Sequence, residues 1–228
     1  MNPQVLGESA AVDRLCPQAV IEFARREVAR TIGLHSGARF FLAGGAFKSL
    51  LTGREPRDLD IWAPSAGDRE RVILALLGNG GHMLPATPFA DVFAIAGRVV
   101  EVPTKTAPDT LAARLARFDL GLAAIGAEHR PGDQWTAIVA PKAQESVQRQ
   151  EVLLLDELPN WRHSLASLER MRRYAAELGF ASPSREEARI WRIFEAQTEE
   201  VRDEMVLRFQ QSARGGFGVS EEVAMRRL

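Results

Sequence analysis

The sequence predicts an α/β protein, more exactly of the α+β kind, in which a small mixed β-sheet domain is followed by a helical domain. Short apolar runs bounded by turn residues, which are typical of strands, are confined to residues 40–139. Beyond residue 141 they give way to segments rich in Arg, Glu, Ala and Leu, with apolar residues at helical spacing. The sequence shows no internal repeat. We therefore expect a first domain over residues 1–141 and a helical domain over residues 142–228.

The composition is that of an ordinary globular protein of 228 residues, with 46% hydrophobic and 26% charged residues. A formal net charge of −1 argues against a protein that coats nucleic acid through bulk charge, although it leaves room for a local basic stripe. Cys16 is the only cysteine, which excludes an intrachain disulfide and a cysteine-based metal cluster and favours a reducing compartment.

The sequence gives no signal for a membrane or for secretion. No apolar run approaches the roughly 18 residues that cross a bilayer. Residues 1–6 lack the basic start and apolar stretch of a secretory signal. We therefore expect a cytoplasmic protein with no membrane partner.

The first expected elements lead to a pair of glycines. Residues 17–31 have apolar side chains at helical spacing and begin with a proline, which suits a first helical turn. The apolar run over residues 40–43 predicts a buried strand that ends in a tight turn at Gly44 and Gly45. A short helix is expected over residues 46–52, closed by a glycine.

The next expected strand carries two carboxylates. Over residues 58–62, Leu59 and Ile61 lie on one face, and Asp58 and Asp60 lie on the other, which predicts a half-buried strand. Further elements are expected in this order: a helix over 68–77, strands over 92–95 and 99–102 joined as a hairpin, a helix over 109–116, strands over 118–125 and 135–139, helices within 160–178 and 184–209, and a loose glycine-containing tail after residue 211.

Candidate chemistry is concentrated in residues 41–62, FLAGGAFKSLLTGREPRDLDIW. Gly44 and Gly45 let the backbone pass close to a ligand, at the positive end of the following short helix. Lys48 lies in the first turn of that helix, within reach of a phosphate. Asp58 and Asp60 repel each other unless a cation lies between them, and Mg²⁺ prefers such an open pair, completed by water and phosphates.

Each of these features alone has an ordinary structural explanation: a turn, a surface lysine and the solvated face of a strand. Their order and spacing favour a site, because the whole stretch resembles the signature of the DNA polymerase β-like nucleotidyltransferases, and in particular the branch of CCA-adding enzymes and bacterial poly(A) polymerases. The positions in register without a gap are Gly44, Gly45, Ala46, Leu50, Leu51, Gly53, Arg54, Pro56, Asp58, Asp60 and Ile61. Lys48 stands where the family has Arg, and Ser49 where it often has Asp.

Two weaker similarities follow in the order that the family has them. Residues 100–104 resemble its E-V-T-T strand, in which Glu101 is a candidate third carboxylate; the alternative is an edge-strand charge. Residues 117–120 resemble its R-R-D-F-T-I-N motif, whose Arg and Asp contact the nucleotide, so Asp119 is a candidate nucleotide contact. Phe118 and Ala123 replace the motif's second Arg and its Asn, which weakens this assignment.

Residues 167–180, SLERMRRYAAELGF, resemble the helix that joins head to neck in CCA-adding enzymes. Arg170 and Arg173 occupy neighbouring positions on such a helix, which makes them candidate RNA contacts; a solvated helix face is the alternative. Further cations suggest that a basic stripe runs along this half of the chain: Lys142, Arg149, Arg162 and Arg172.

The resemblance implies a nucleotidyltransferase palm domain with Mg²⁺ as cofactor and a nucleoside triphosphate (NTP) as substrate. The implied roles are nucleotide binding for Gly44, Gly45 and Lys48, and a two-metal site for Asp58, Asp60 and Glu101. An acceptor hydroxyl attacks the α-phosphorus, and pyrophosphate leaves.

The substrate is less clear than the chemistry. The chain is expected to lack the helical body and tail with which CCA-adding enzymes hold tRNA, and the motif that selects CTP and ATP is degraded. A tRNA-like RNA is the expected acceptor, and a protein side chain or a small molecule is the alternative. A toxin-type nucleotidyltransferase that modifies tRNA or protein, and a non-catalytic nucleotide-binding module, stay as alternatives.

Overall fold

The first helix precedes the sheet. The computed structural model of the protein describes residues 15–34, 36–212 and 217–226. Helix α1 spans Pro17–Arg30, with its proline in the first turn. The Cys16 Sγ accepts a hydrogen bond from the Ala19 N–H and so caps the helix. Its apolar face is buried in the core, as the helical spacing predicts.

A seven-stranded mixed sheet forms the first half of the chain, as the fold class predicts. Its strands are β1 Phe40–Ala43, β2 Asp58–Trp62, β3 His82–Leu84, β4 Ala90–Ile95, β5 Arg98–Pro103, β6 Ile125–Arg130 and β7 Gln134–Val139. The order across the sheet is β3-β4-β5-β2-β1-β6-β7. Neighbouring strands are antiparallel, except that β2 and β5 are parallel. The carboxyl ends of β2 and β5 therefore lie side by side.

Short helices connect the strands. The structure has a 3₁₀ turn over Gly45–Lys48 and helices α2 Ser49–Thr52, α3 Ala66–Gly78 and α4 Leu111–Leu115, a 3₁₀ turn over Gly121–Ala123, and helix α5 Pro141–Arg149. The left-handed conformation of Gly53, with φ of 66°, closes α2. The helix expected over residues 46–52 is therefore present, although its first turn is 3₁₀.

The second half is helical. A 3₁₀ turn over Trp161–His163 leads into α6 Ser164–Leu178, which is followed by α7 Ser184–Glu195, α8 Glu199–Ser212 and α9 Val219–Met225. One cluster of buried side chains includes Phe47 and Leu120 from the sheet half, and Met171 and Phe194 from the helices. Helix α6 is thereby packed against the segment that follows β1.

The structure corrects several expected elements. The strand expected over residues 118–125 is wrong: the chain makes the Gly121–Ala123 turn there, and the strand begins at Ile125. The apolar run reflects burial, and Gly121 is needed because a Cβ there would lie 2.5 Å from the Lys142 carbonyl oxygen. The segment 184–209 contains two helices, and strand β3 was not expected.

The expectation of a loose tail is also wrong for its last part. Helix α9 buries Val219 and Val223, and Gly218 begins it. Gly215 and Gly216 lie outside the described residues. Among the helices of the described segments, none is both long and apolar enough to cross a membrane.

Candidate active site

The turn after β1 brings the backbone close to a carboxylate. Gly44 has φ of 113° and ψ of −153°, a conformation that side-chain-bearing residues rarely adopt. Its N–H donates to the Ile125 carbonyl oxygen over 3.1 Å, which fixes the turn against β6. A Cβ at Gly44 would lie 3.0 Å from Asp60 Oδ2. The absence of a side chain at Gly44 therefore lets the Asp60 carboxylate lie against the turn.

Helix α6 covers the second glycine of the turn. A Cβ at Gly45 would collide with the hydroxyl of Tyr174, a side chain that is only 5% exposed. Burial raises the pKa of this tyrosine above its usual range. Gly45 is thus needed for close packing of α6.

The carboxylates project from one face of the central strands. Leu59 and Ile61 are fully buried, so Asp58 and Asp60 lie on the opposite, partly exposed face of β2. The parallel register with β5 places Asp60 opposite Glu101. Residues opposite each other on paired strands share a face. The three carboxylate-bearing residues are therefore neighbours on one surface of the sheet.

Of these three carboxylates, Asp58 and Asp60 on β2 are the two that could bind Mg²⁺ without the third. Across the described parts of the chain, no three His, Cys, Asp or Glu side chains are grouped as a ready-made metal cage. Mg²⁺ does not require one, because it commonly binds through one or two carboxylates, with water and substrate phosphates completing the shell. Asp58 and Asp60 meet that requirement.

A cavity of about 240 Å³ opens beside Asp58. Its lining comprises Gly45, Ala46, Lys48, Ser49, Thr52, Arg54, Glu55, Pro56, Arg57, Asp58, Arg173 and Glu177. This is somewhat below the usual volumes of small-molecule sites, roughly 300–1,000 Å³. Arg54 and Arg57, exposed on the loop before β2, line it with no acidic partner among the described side chains. Their position in the R-x-P-R segment was the signal that could have identified them.

Lys48 lines the same cavity but is engaged by α6. Its ammonium group is ion-paired with Glu177 and lies 3.8 Å from the centre of the Tyr174 ring. Burial lowers the pKa of Lys48 from its ordinary value of 10.5, and the Glu177 carboxylate opposes that shift. A phosphate must therefore compete with Glu177 for this cation.

Asp119 and Arg170 form a pair between the two halves of the chain. Arg170 Nη1 donates to Asp119 Oδ1 over 2.9 Å and to Oδ2 over 2.8 Å. The Asp119 carboxylate raises the pKa of Arg170 further, and Asp60 contributes in the same direction. Arg170, expected on an RNA-binding face, thus lies beside the candidate nucleotide contact Asp119.

The basic stripe expected along the helical half is neutralised within the protein. Arg173 pairs with Glu169 and Glu177 on its own helix, over 3.3 and 3.5 Å. The other cations of the stripe also have acidic partners: Lys142 with Glu145 and Asp156, Arg149 with Glu145 and Glu151, Arg162 with Glu204, Arg170 with Asp119, and Arg172 with Glu187 and Glu222. Direct contact of Arg170 and Arg173 with RNA stays a prediction.

Solved structures of tRNA-processing enzymes share this fold. A tRNA-processing enzyme in its apo form superimposes with a TM-score of 0.59 at 19% identity, covering 89% of this chain and 58% of that one. The Thermotoga maritima CCA-adding enzyme complexed with tRNA gives 0.56 at 17% identity, covering 95% and 53%. The Bacillus stearothermophilus CCA-adding enzyme in complex with CTP gives 0.55 at 21% identity, covering 84% and 49%.

These comparisons show that the chain shares the fold of these tRNA-processing and CCA-adding enzymes, as the sequence resemblance predicts. The chain spans about half the length of the structures it matches. No protein-family model matches it, and no curated protein matches it in sequence.

Proposed function

We propose that this protein is a Mg²⁺-dependent nucleotidyltransferase that moves a nucleoside monophosphate from an NTP to a hydroxyl acceptor. The observation that carries the proposal is the juxtaposition of the Gly44–Gly45 turn with the β2 carboxylates. A Cβ at Gly44 would lie only 3.0 Å from Asp60 Oδ2, and Glu101 is opposite Asp60 on the parallel strand. Anion-binding backbone and cation-binding side chains therefore meet at one point.

The triphosphate is assigned to the cavity beside Asp58. The backbone at Gly45 and Ala46, which line the cavity, supplies with Lys48, Arg54 and Arg57 the positive potential that polyphosphate binding requires. Within the described part of the chain, Arg54 and Arg57 have no ion pair to break, whereas Lys48 must leave Glu177. The sugar and base are assigned to the side of the turn where Asp119 and Arg170 lie, next to Tyr174 of α6.

Asp58 and Asp60 hold the metal, and Glu101 is the candidate third ligand. When bound, Mg²⁺ neutralises charge on the phosphates and lowers the pKa of the acceptor hydroxyl. In the transfer, the acceptor oxygen forms a bond to the α-phosphorus while the bond to the β-phosphate oxygen breaks. Pyrophosphate leaves, and the hydroxyl proton passes to solvent. The protein contributes chiefly the positioning of both groups in line.

RNA is the proposed acceptor, with tRNA-like molecules as the first choice. The solved structures with this fold include a CCA-adding enzyme complexed with tRNA, which supports the choice without deciding it. A toxin-type enzyme that modifies tRNA or protein uses the same residues for the same chemistry. The acceptor is therefore a separate question from the transfer.

The test is to incubate the protein with each α-labelled NTP, Mg²⁺ and total RNA or protein lysate. We expect label in a macromolecule, in wild type and not in Asp60→Asn. Label in RNA supports the proposed acceptor, and label in protein supports the toxin-type alternative. Absence of label from both fractions with every NTP would contradict the proposal of transfer.

A non-catalytic nucleotide-binding module is the second candidate. It is favoured by the fact that, in the described residues, no three metal-ligating side chains are grouped, and by the position of α6 over the turn. This candidate predicts saturable NTP binding without label transfer. Measuring NTP binding on the same preparation therefore separates the two functions.

A further inference from the structure

Arg114 is a buried cation that the proposed chemistry does not use. It lies on α4 and is only 4% exposed. Its Nη2 donates to the carbonyl oxygens of Thr106 and Pro108, over 3.3 and 3.2 Å. Its Nε has no hydrogen-bond partner, and no acidic side chain in the described segments pairs with it. A buried guanidinium without a carboxylate is costly, because desolvation is not offset by a counter-charge.

A second unpartnered donor lies next to it. The guanidinium carbon of Arg114 is 4.2 Å from the centre of the Trp62 ring. The indole Nε1 of Trp62 is also buried and has no hydrogen-bond partner among the residues that the structure describes. Burial lowers the pKa of Arg114 to about 10, and the nearby charge of Arg117 adds to that effect. Donors of two neighbouring side chains therefore lack an acceptor among the described residues, and the two cations favour an anionic one.

Arg114 and Trp62 lie near the carboxylates of β2. Trp62 follows Asp60 by two residues and lies on the same face of β2, about 7 Å further along the strand. The triphosphate cavity is at the other end of β2, where Asp58 lines it and Trp62 does not. The ring of Phe118 lies between these places, in edge contact with Trp62 and 3.8 Å from the Cβ position of Gly44.

The in-line geometry of the transfer indicates that the acceptor binds at the Trp62 end of β2. In an in-line transfer, the attacking oxygen and the leaving pyrophosphate lie on opposite sides of the α-phosphorus. If pyrophosphate leaves toward the Asp58 end, the acceptor approaches from the Asp60–Trp62 end. Lys105 and Arg117, both exposed, flank Arg114 in the chain and have no acidic partner among the described residues. The charge of Arg117 acts on Arg114, so the pair has a second cation nearby.

We propose that Arg114 and the Trp62 indole N–H bind a phosphate oxygen of an RNA acceptor, next to the hydroxyl that is modified. This inference rests on the proposed function for the position of the hydroxyl, but not for the anion site itself. Binding requires the phosphate to displace the carbonyl contacts of Arg114, which come from the mostly exposed loop over residues 104–110. A protein acceptor would not supply this anion at a fixed distance from its hydroxyl.

The test follows the Trp62 indole N–H signal by ¹⁵N NMR in protein without NTP. Trp62→Phe identifies the signal, and the titrants are inorganic phosphate and a short single-stranded oligoribonucleotide with a 3′-hydroxyl. We expect a saturable shift with both titrants in wild type, and at least a tenfold weaker response in Arg114→Gln. Arg192→Gln, which removes an exposed arginine of α7, is the matched control and should behave as wild type.

Two results would overturn the proposal: a Trp62 signal that does not move, as expected if only a water occupies the site, or a shift that is equal in Arg114→Gln. A response to phosphate but not to the oligoribonucleotide would overturn the RNA assignment. Arg114→Lys is the second variant, in case Arg114→Gln does not fold. It keeps the positive charge but lacks the Nε, so its Trp62 signal should shift only partially with both titrants. Since no NTP or turnover is involved, failure of transfer assays and failure of this titration are distinguishable.

Where transfer to RNA is measurable, the same variant gives a second readout. Arg114→Gln should raise the KM for the RNA acceptor at least fivefold and leave the KM for the NTP unchanged. An equal increase in both values would indicate a general structural role and contradict an acceptor contact.

Discussion

Helix α6 and the segments beside the β2 carboxylates use their cations differently. Helix α6 carries Arg170 beside Asp119 and Arg173 in the lining of the cavity, yet each is paired with a carboxylate. Around the β2 carboxylates, Arg54, Arg57 and Arg117 contact no acidic side chain of the described residues. The difference teaches that a count of cations along a sequence does not measure the charge available to a ligand.

These ion pairs, with one packing contact, give α6 a structural role. Arg170 holds Asp119, Tyr174 lies on Gly45, and Glu177 holds Lys48. Three side chains of one helix therefore engage residues that the sequence resemblance assigns to the nucleotide. We infer that α6 forms one wall of the nucleotide site, and that substrate phosphates are recognised mainly from the sheet half.

The largest expected effect tests the sheet half. Asp60→Asn keeps the side-chain shape but removes a metal-binding charge, so it should reduce transfer by at least about 100-fold, the upper range found even for outer-shell groups of metal sites. Its melting temperature should change little, because relief of the repulsion from Asp58 offsets the lost attraction to Arg170. Asp156→Asn, at a side chain that is 88% exposed, is the control. Near-normal transfer by Asp60→Asn would refute the site.

A second prediction concerns the contact between the halves. Gly45→Ala places a Cβ against the Tyr174 hydroxyl, so it should lower the free energy of unfolding by about 1–3 kcal/mol, as overpacked cores do. Tyr174→Phe removes that hydroxyl and should restore part of the loss. Urea denaturation of both single variants and the double variant measures the coupling. Strictly additive effects would contradict the contact.

The sequence and the structure agree best where the pattern is local. The alternation over residues 58–62 was sufficient to place Asp58 and Asp60 on one face, and the strand before Gly44 was expected with its observed bounds. The apolar run after Phe118 misled the assignment, because burial on all sides does not distinguish a strand from a packed 3₁₀ turn.

Long-range relations were not predictable from the sequence. The pairing of Arg170 with Asp119 joins residues far apart in the chain, and the parallel register of Asp60 with Glu101 depends on sheet order. Neither leaves a periodic signal. The division between domains at residue 141 stays a prediction, and the core contains side chains from both sides of it.

A smaller effect is expected where α6 competes with the ligand. Glu177→Gln removes the partner of Lys48 from the cavity and should tighten NTP binding about two- to fivefold, the range of a partly exposed ion pair. Glu145→Gln, on α5, is the control. Weaker NTP binding in Glu177→Gln would show that the carboxylate serves the nucleotide instead.

The same variant should change the pH dependence of binding. Lys48 must be protonated to attract phosphate, so affinity falls as the pH rises through its pKa. Burial already lowers that pKa, and Glu177 opposes the shift, so its removal should move the alkaline loss of affinity to lower pH. A titration of NTP affinity between neutral and alkaline pH measures it. An unchanged alkaline limb would indicate that Lys48 does not contact the phosphates.

The smallest effect is expected for the paired stripe. Arg162→Gln removes a cation that is already bound to Glu204, so the salt dependence of RNA binding should not change. Arg117→Gln should reduce the slope of log affinity against log salt concentration by nearly one unit if that residue contacts a phosphate. The reverse result, with Arg162 affecting the slope and Arg117 not, would move the acceptor to the helical half.

The most direct test of the central claim is the equilibrium affinity of the protein for each NTP, with Mg²⁺ and with EDTA, in wild type and in Asp60→Asn. If the glycine turn and the β2 carboxylates form a metal–nucleotide site, wild type should bind at least one NTP, and Mg²⁺ should tighten that binding. Asp60→Asn should lose at least about tenfold in affinity with Mg²⁺ and differ little in EDTA. Equal affinities of the two proteins in Mg²⁺, or no NTP binding by wild type, would contradict the account.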